Sequence, residues 1–284
     1  MKDFMLNNGL SIPEIGFGTW QIPEGDVAKN AVMTALEDGY RHIDTAKIYE
    51  NEKSVGNAIK ASGISREEIF LTTKVWNSDR GYHETMAAFE KSLELLQTDY
   101  VDLYLIHWPA IPSQFDNWKT LNAETWRALE DLYTSGRAKA IGVCNFLVHH
   151  LEALKETAKI NPMVNQIEYH PGYLQSDVVN YCKNNEILVE AWSPIGSGRL
   201  LDNELLKDIA AKYQVSVAQL CLKFCLQNDV LPLPKSVTPA NIKSNLDVDH
   251  FSISEEDMKS IASMEESGFS GLNPDHIPFL IKIQ

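Results

Sequence analysis

Eight short apolar segments alternate with segments of helical periodicity, and this alternation constrains the fold more than any other feature. In the segment between the third and fourth, Met86, Phe89, Leu93 and Leu96 have the spacing of one buried helix face. The strand-like segments are apolar throughout, which is typical of parallel strands covered on both faces. Eight βα units predict an α/β fold, a (β/α)8 TIM barrel. The predicted strands are residues 14–18, 40–44, 69–74, 101–107, 138–143, 163–169, 187–192 and 230–235.

The length and the N-terminus fit this architecture. A chain of 284 residues has the size of one α/β barrel, so we expect a single domain over residues 1–284. An N-terminal β-hairpin is expected before the first barrel strand, with the Asn-Asn-Gly sequence of residues 7–9 as its turn.

Charge and cysteine usage limit the partners. The formal net charge of −14 argues against nucleic acid and anionic membranes. We find neither a signal-peptide pattern nor an apolar run long enough to cross a bilayer. The cysteines form no C-x-x-C pair, and Cys221 and Cys225 lie in an apolar helical run, as expected of core thiols. We therefore expect a reduced, cytoplasmic monomer with no metal site, membrane contact or nucleic-acid contact.

Polar residues follow three consecutive predicted strands. Asp44, Lys74 and His107 end the second, third and fourth strands, and Tyr49 lies in the loop after Asp44. In a barrel the C-terminal strand ends meet at one mouth. Each residue alone has an ordinary structural explanation, because aspartates cap helices and lysines are usually solvated. Their coincidence on consecutive strands predicts a functional site.

Together these side chains suit proton donation to a developing alkoxide. A tyrosine has an unperturbed pKa of about 10, so it holds its proton at neutral pH. A neighbouring lysine cation lowers the pKa of a phenol, and a buried lysine needs a counter-ion. We therefore expect Lys74 to make Tyr49 a stronger acid and Asp44 to keep Lys74 charged. His107 is expected to orient a carbonyl oxygen.

Two glycine pairs match part of the dinucleotide-binding fingerprint, and neither completes it. The Gly-Phe-Gly of residues 16–18 has Gln21 where the third glycine belongs. The Gly-Ser-Gly of residues 196–198 has Leu201 at that place. The sequence therefore gives no support for a Rossmann fold.

The motifs around these residues resemble the aldo-keto reductase family over almost the whole chain, in the family's order and spacing. They are GFGTW, GYRHIDTAKIYENE, LTTKVWN, DLYLIHWP, IGVCNF, NQIEYHP, AWSPIGSG and LPKSVTPANIKSN. The resemblance implies a (β/α)8 barrel that reduces aldehydes or ketones to alcohols by hydride transfer from NADPH. It also implies a catalytic tetrad of Asp44, Tyr49, Lys74 and His107, with Tyr49 as the proton donor.

The resemblance further implies contacts to the cofactor and to a small carbonyl substrate. The cofactor residues would be Asn145 and Gln166 at the carboxamide, Trp192 on the nicotinamide ring, Ser193, Ile195 and Ser197 along the pyrophosphate, Lys235, Ser236 and Thr238 at the 2′-phosphate, and Gly18, Thr19, Trp20, Asp44, Val237, Asn241 and Asn245 nearby. The substrate residues would be Trp20, Tyr49, Trp76, His107 and Trp108.

Three positions depart from the family's pattern. Cys144 replaces a serine that touches the carboxamide in many relatives, so that contact is weakened or lost. Asn241 replaces the usual arginine near the 2′-phosphate, and Ser244 replaces a glutamate that often contacts the adenine. We therefore expect NADPH to be preferred by a reduced margin, with measurable use of NADH.

Two other functions remain open. A strand-end lysine in a barrel also suits a Schiff-base lyase or aldolase that uses Lys74, although Asp44 favours the charged amine and argues against it. A reductase-like binding protein without catalysis is the second alternative, because a fold does not fix an activity. The intact tetrad argues against that function.

The pocket rim is expected to set substrate specificity. It is predicted from residues 109–119, 195–201 and 268–279. The C-terminal segment, residues 268–284, is short, as in bacterial members of the family, and suggests an open pocket with broad tolerance. Sugars, 2-oxoaldehydes, diketones and xenobiotic carbonyls all fit this expectation.

Overall fold

The computed structural model describes residues 3–276, and these begin with the predicted hairpin. Strands β1 (Asp3–Met5) and β2 (Ser11–Pro13) pair antiparallel around the turn at residues 7–9. The turn side chains reach the N-terminal ends of barrel strands, since Asn7 donates to the Pro162 carbonyl and Asn8 to the Lys139 carbonyl. The hairpin therefore covers the end of the barrel opposite the mouth.

Eight parallel strands follow, each overlapping one predicted apolar segment, and they pair in chain order. The predicted (β/α)8 barrel is confirmed. The first strand is shorter than predicted, because residues 14–16 precede the regular pairing. The barrel strands are β3 (Phe17–Gly18), β4 (His42–Asp44), β5 (Phe70–Val75), β6 (Val101–Ile106), β7 (Ala138–Cys144), β8 (Val164–Glu168), β9 (Leu188–Trp192) and β10 (Val230–Leu233).

Backbone hydrogen bonds between the first and last strands close the barrel. The Gly16 N–H donates to the Pro232 carbonyl at 3.1 Å, and the Gly18 N–H donates to the Pro234 carbonyl at 3.0 Å. Glycine is required at residue 16, because a Cβ atom there would lie 2.6 Å from Nδ1 of the fully buried His42.

Helices follow the strands and pack on the outer face of the barrel. In the helix Tyr82–Leu96, the predicted apolar face is buried at Phe89, Leu93 and Leu96. The loop after β6 covers residues 107–117, because the next helix begins at Trp118, inside the predicted rim segment 109–119. The helices are α1 (Asp26–Asp38), α2 (Glu52–Ser62), α3 (Tyr82–Leu96), α4 (Trp118–Thr134), α5 (Val148–Lys155), α6 (Ser176–Asn184), α7 (Glu204–Tyr213), α8 (Val217–Gln227), α9 (Pro239–Leu246) and α10 (Glu255–Ala262).

The cysteines behave as core residues. Cys221 and Cys225 are fully buried in α8, as predicted, and Cys144 and Cys182 are also buried with free thiols. Within residues 3–276 we find no helix with the length and apolar character needed to cross a bilayer.

Candidate active site

Asp44, Lys74 and Tyr49 form a continuous chain of contacts at the C-terminal mouth of the barrel. Lys74 is fully buried. Its Nζ donates to Asp44 Oδ1 at 2.7 Å, to the Thr45 carbonyl at 2.8 Å and to Tyr49 OH at 3.4 Å. An ammonium group has three hydrogens, and each of them has an acceptor here. The lysine is therefore a fixed point charge beside the phenol.

Strand register and one tight turn bring these groups together. Asp44 ends β4 and pairs with Thr72 of β5, so Lys74 lies two residues further along β5, on the same face as Thr72. A turn of 3₁₀ helix, Lys47–Tyr49, follows β4 directly. The turn returns the Tyr49 ring to the mouth, where Lys74 Nζ lies 5.0 Å from the ring centroid.

Burial and charge act in opposite directions on the acidity of Tyr49. Burial raises the pKa of Tyr49 and Lys74 lowers it, and the pKa ends above its usual value. Lys74 acts in the expected direction and makes Tyr49 a stronger acid than burial alone would leave it, but burial has the larger effect. The practical result is that Tyr49 keeps its proton at neutral pH, as a proton donor must.

Lys74 keeps its charge. Burial lowers the pKa of Lys74, but Asp44 and Tyr49 raise it by more, so the pKa lies above its usual value. A nucleophilic amine needs the neutral form of lysine. This environment holds the opposite form, and it argues against the Schiff-base alternative.

His107 follows β6 and faces Tyr49. The two ring centroids lie 5.5 Å apart at an interplanar angle of 78°. Burial, together with the nearby Lys74 charge, holds the pKa of His107 well below its usual value, so the ring is neutral at neutral pH. The Asn145 side chain donates to the His107 carbonyl at 3.0 Å and fixes the backbone there. A neutral imidazole has one N–H, and it can donate one hydrogen bond to a carbonyl oxygen.

Asn145 also links to the predicted ring-stacking residue. Trp192 Nε1 donates to Asn145 Oδ1 at 2.8 Å. Asn145 adopts a left-handed φ of 62°, a conformation that asparagine tolerates better than most residues. The Trp192 and Trp20 rings meet edge to face with centroids 6.2 Å apart. One network therefore joins residues predicted to hold the carboxamide and the nicotinamide ring.

These residues surround a cavity of about 300 Å³. The predicted substrate residues Trp20, Tyr49, Trp76, His107 and Trp108 all line it. The sequence did not single out four lining residues, Gln21, Ile48, Pro194 and Leu233, although Ile48 lies inside the motif that carries Tyr49. The other lining residues are Gly18, Asp44, Asn145, Gln166, Trp192, Ser193, Ile195, Ser197, Gly198, Lys235 and Leu272.

Several predicted cofactor residues lie outside this cavity. Thr19 is fully buried, and its hydroxyl donates to the Asp44 carbonyl at 2.9 Å. Thr238 precedes α9, and its N–H donates to the Ser236 hydroxyl at 3.1 Å. Cys144 is buried in β7 and does not line the cavity. Val237 and Asn241 are exposed, and Asn245 is buried in α9.

One end of the cavity suits an anion. Lys235 is partly buried and lines the wall, and no carboxylate in residues 3–276 forms an ion pair with it. Partial burial lowers the pKa of Lys235. The hydroxyls of Ser193 and Ser197 lie 2.8 Å apart on the neighbouring loop, and both residues have left-handed φ values, 49° and 51°. Strained backbone of this kind concentrates at ligand sites. The donor set fits the phosphates of a dinucleotide.

Comparison with known proteins identifies the family. The profile described as "Aldo/keto reductase family" matches residues 14–266. The chain belongs to the aldo/keto reductase family. It is thus an oxidoreductase, as the resemblance of its motifs implied.

Three relatives of this reductase are similar over nearly their full length. The glyoxal reductase of Bacillus subtilis (strain 168) is 50% identical over 98% of this chain and 99% of its own. MGS-M4, an aldo-keto reductase enzyme from a Medee basin deep-sea metagenome library, has 46% identity and a TM-score of 0.91, with 97% of this chain and 100% of that chain covered. A mutant of Gox0644 solved in complex with NADPH has 39% identity and a TM-score of 0.90, with 98% and 99% covered.

The three predicted rim segments of this reductase are tied to barrel residues and to one another. Arg199 Nε donates to the Gly268 carbonyl at 2.8 Å. The Ser270 hydroxyl donates to the buried Glu168 at 2.7 Å, and the Ser113 hydroxyl lies 3.4 Å from the Asp275 carbonyl. The last part of the predicted rim, residues 277–279, lies outside the described residues.

His149, His150 and Asp275 form a cluster near the rim. Their residue types suit a metal site, but the hydrogen bonding of His150 does not. Ligand atoms of His149, His150 and Asp275 lie within 4.8 Å of one another. His150 Nδ1, however, accepts a hydrogen bond from the Leu147 N–H at 3.1 Å. The neutral ring must then carry its hydrogen on Nε2, so that nitrogen has no lone pair for a metal. The cluster instead holds Asp275, through His149 Nε2 at 3.0 Å.

Proposed function

We propose that this reductase uses NADPH to reduce small aldehydes and ketones to alcohols, with Tyr49 as the general acid. The observation that carries the proposal is the contact chain in which Lys74 Nζ lies 2.7 Å from Asp44 and 3.4 Å from Tyr49 OH. The similarity to a glyoxal reductase and to a protein solved with NADPH supports the same reaction.

The proton step follows from the charges around Tyr49. When bound, NADPH supplies a hydride to the carbonyl carbon, and negative charge develops on the carbonyl oxygen. Tyr49 gives its proton to that oxygen, and the phenolate that remains lies beside the Lys74 cation. Asp44 holds Lys74 in place, so the charge is available without rearrangement. The neutral His107 donates a hydrogen bond that orients the same oxygen.

The cofactor would lie across the mouth of the barrel. Asn145 and Gln166 would hold the carboxamide, Trp192 would face the nicotinamide ring, and Ser193 with Ser197 would hold the pyrophosphate. Lys235 would hold the 2′-phosphate, with help from the residues that precede α9. Because Asn241 offers no guanidinium there, NADPH is preferred over NADH by a reduced margin.

Glyoxal and other 2-oxoaldehydes are the substrates to test first. The cavity beside Tyr49 is walled by Trp20, Trp76 and Trp108, and it is small. A flat carbonyl compound fits between indole rings, with its oxygen toward Tyr49 and His107. Larger carbonyl compounds must extend towards the rim segment that contributes Leu272 to the cavity wall.

The decisive experiment follows NADPH oxidation with glyoxal, methylglyoxal and a panel of aldehydes and ketones ranked by kcat/KM. We expect turnover with at least one small aldehyde, and its loss in Tyr49→Phe. Borohydride treatment with a carbonyl substrate should leave no adduct at Lys74. An adduct at Lys74 without NADPH oxidation would support the lyase alternative instead. The expectation of a single-domain, cytoplasmic monomer stays a prediction.

A further inference from the structure

The side-chain amide of Gln166 lies between two carboxyl groups. Its Nε2 donates to Asp44 Oδ2 at 2.9 Å and to Glu190 Oε2 at 2.7 Å. A primary amide nitrogen has two hydrogens, so both are used by these two acceptors. Asp44 is ion-paired with Lys74, and a carboxylate only accepts hydrogen bonds. Rotating the amide by half a turn would place its oxygen against that carboxylate.

The consequence is a fixed direction for the Gln166 carbonyl. Gln166 lines the cavity, and no described residue donates a hydrogen bond to its Oε1. We infer that Glu190 is a positioning residue, which together with Asp44 fixes the Gln166 amide so that an acceptor, and never a donor, faces the carboxamide of the cofactor. This inference rests on the proposed function, since it gives Gln166 a cofactor to contact.

The position of Glu190 indicates that it acts on the cofactor through Gln166 and does not contact the cofactor itself. Glu190 pairs in register with Gln166 across β8 and β9, is fully buried and does not line the cavity. Its second oxygen, Oε1, has no hydrogen-bond partner within residues 3–276. An unpaired buried polar atom destabilises a protein, so stability alone would favour an apolar side chain here. A carboxyl group at this place is explained by the acceptor it offers to Gln166.

The protonation state of Glu190 is consistent with its role as an acceptor for the Gln166 amide. Burial, and then the nearby Asp44 charge, raise the pKa of Glu190 to about 8. The carboxyl group is therefore mainly neutral at neutral pH, and its carbonyl oxygen still accepts from Gln166 Nε2. A glutamine at residue 190 would offer the same oxygen, whereas a leucine would offer none.

A fixed acceptor at Gln166 Oε1 predicts that the protein distinguishes cofactors that can donate a hydrogen bond to it from cofactors that cannot. The nicotinamide carboxamide has an NH₂ group that can donate to Gln166 Oε1. The 3-acetylpyridine analogue of NADP⁺ has a methyl group there and cannot donate. A wild-type protein should therefore bind NADP⁺ more tightly than the analogue, by about fivefold for one hydrogen bond of about 1 kcal/mol.

The test compares equilibrium Kd values for NADP⁺, the analogue and 2′,5′-ADP, which lacks the nicotinamide, in wild type, Glu190→Gln and Glu190→Leu. We expect Glu190→Gln to keep the discrimination and Glu190→Leu to lose most of it. The Kd of 2′,5′-ADP should stay the same in all three proteins. Glu52→Leu is the matched control, because Glu52 is a buried carboxyl group that accepts from Thr73 at 2.6 Å instead of from Gln166. It should lower Tm and keep the discrimination.

The outcomes separate this inference from the proposed function. Discrimination that survives in Glu190→Leu, or that is lost equally in Glu190→Gln, overturns the positioning role. A wild type that binds NADP⁺ and the analogue equally also overturns it. A wild type that binds neither NADP⁺ nor 2′,5′-ADP overturns the proposed function, and the positioning role with it.

Discussion

The Lys74 ammonium nitrogen lies 3.4 Å from the Tyr49 hydroxyl oxygen, and both groups are in their protonated forms at neutral pH. The contact is therefore of little consequence before reaction and becomes an ion pair when the phenol loses its proton. An interaction that strengthens as charge develops stabilises the transition state more than the ground state. This difference is what the variants below measure.

Replacing Tyr49 with phenylalanine removes the proposed proton donor and keeps the ring. We expect kcat to fall by about 10²–10⁴-fold, the range of a general acid, while the Kd of NADPH changes little. Steady-state kinetics and fluorescence titration measure the two quantities. Turnover close to that of wild type would exclude Tyr49 as the acid.

Lys74→Met and Asp44→Asn should both lower kcat, because each removes support for the Tyr49 phenolate. Lys74→Met should have the larger effect, since it removes the charge itself. The double variant should lose less than the sum of the two effects, with a coupling free energy of roughly 0.5–3 kcal/mol. If the two changes in activation free energy are additive, Asp44 does not act through Lys74.

Asn241→Arg should tighten NADPH binding and leave NADH binding nearly unchanged. Asn241 lies in the first turn of α9 and is exposed, so a longer side chain has room there. A charge-assisted hydrogen bond of about 1.5–3 kcal/mol corresponds to roughly tenfold to hundredfold in the Kd of NADPH. Asn241→Gln, which adds length without charge, is the control. Equal gains for both cofactors would show that residue 241 does not contact the 2′-phosphate.

Glu190 should make stability depend on pH. Its pKa is raised from the usual value of 4.5 to about 8 in the folded protein, so between these values the folded state binds a proton that the unfolded chain has released. Wild-type stability should therefore fall with rising pH in this window, relative to Glu190→Gln, by up to about 1.4 kcal/mol per pH unit. Urea unfolding from pH 5 to 9 measures the difference, which should level off above pH 8. A constant difference would show that Glu190 does not titrate in this way.

The barrel and the positions of Asp44, Lys74 and His107 were predictable from the sequence for one physical reason. Parallel strands covered on both faces are apolar throughout, so polar residues at their ends stand out, and the barrel geometry brings those ends together. Asn145, Gln166 and Trp192 line the same cavity for the same reason.

Other features depend on three-dimensional packing that no local pattern encodes. The net effect on the pKa of Tyr49 is a balance between burial and Lys74, and burial is known only from the folded chain. Glu190 is the single carboxyl group in an apolar strand segment, and that position could have marked it as a candidate functional residue. Gln21 and Leu233 also line the cavity, but the sequence does not mark them, because these side chains carry no recognisable catalytic chemistry.

The bond between Arg199 and the Gly268 carbonyl has a consequence for redesign. Residues 195–201 contribute Ile195, Ser197 and Gly198 to the cavity wall, and the segment that begins at Gly268 contributes Leu272 to the same wall. A graft that exchanges the C-terminal segment to change substrate range also removes an anchor of the loop that we propose holds the pyrophosphate. We therefore expect such a graft to change the off-rate of NADPH together with the substrate preference, and a chimera should be assayed for both.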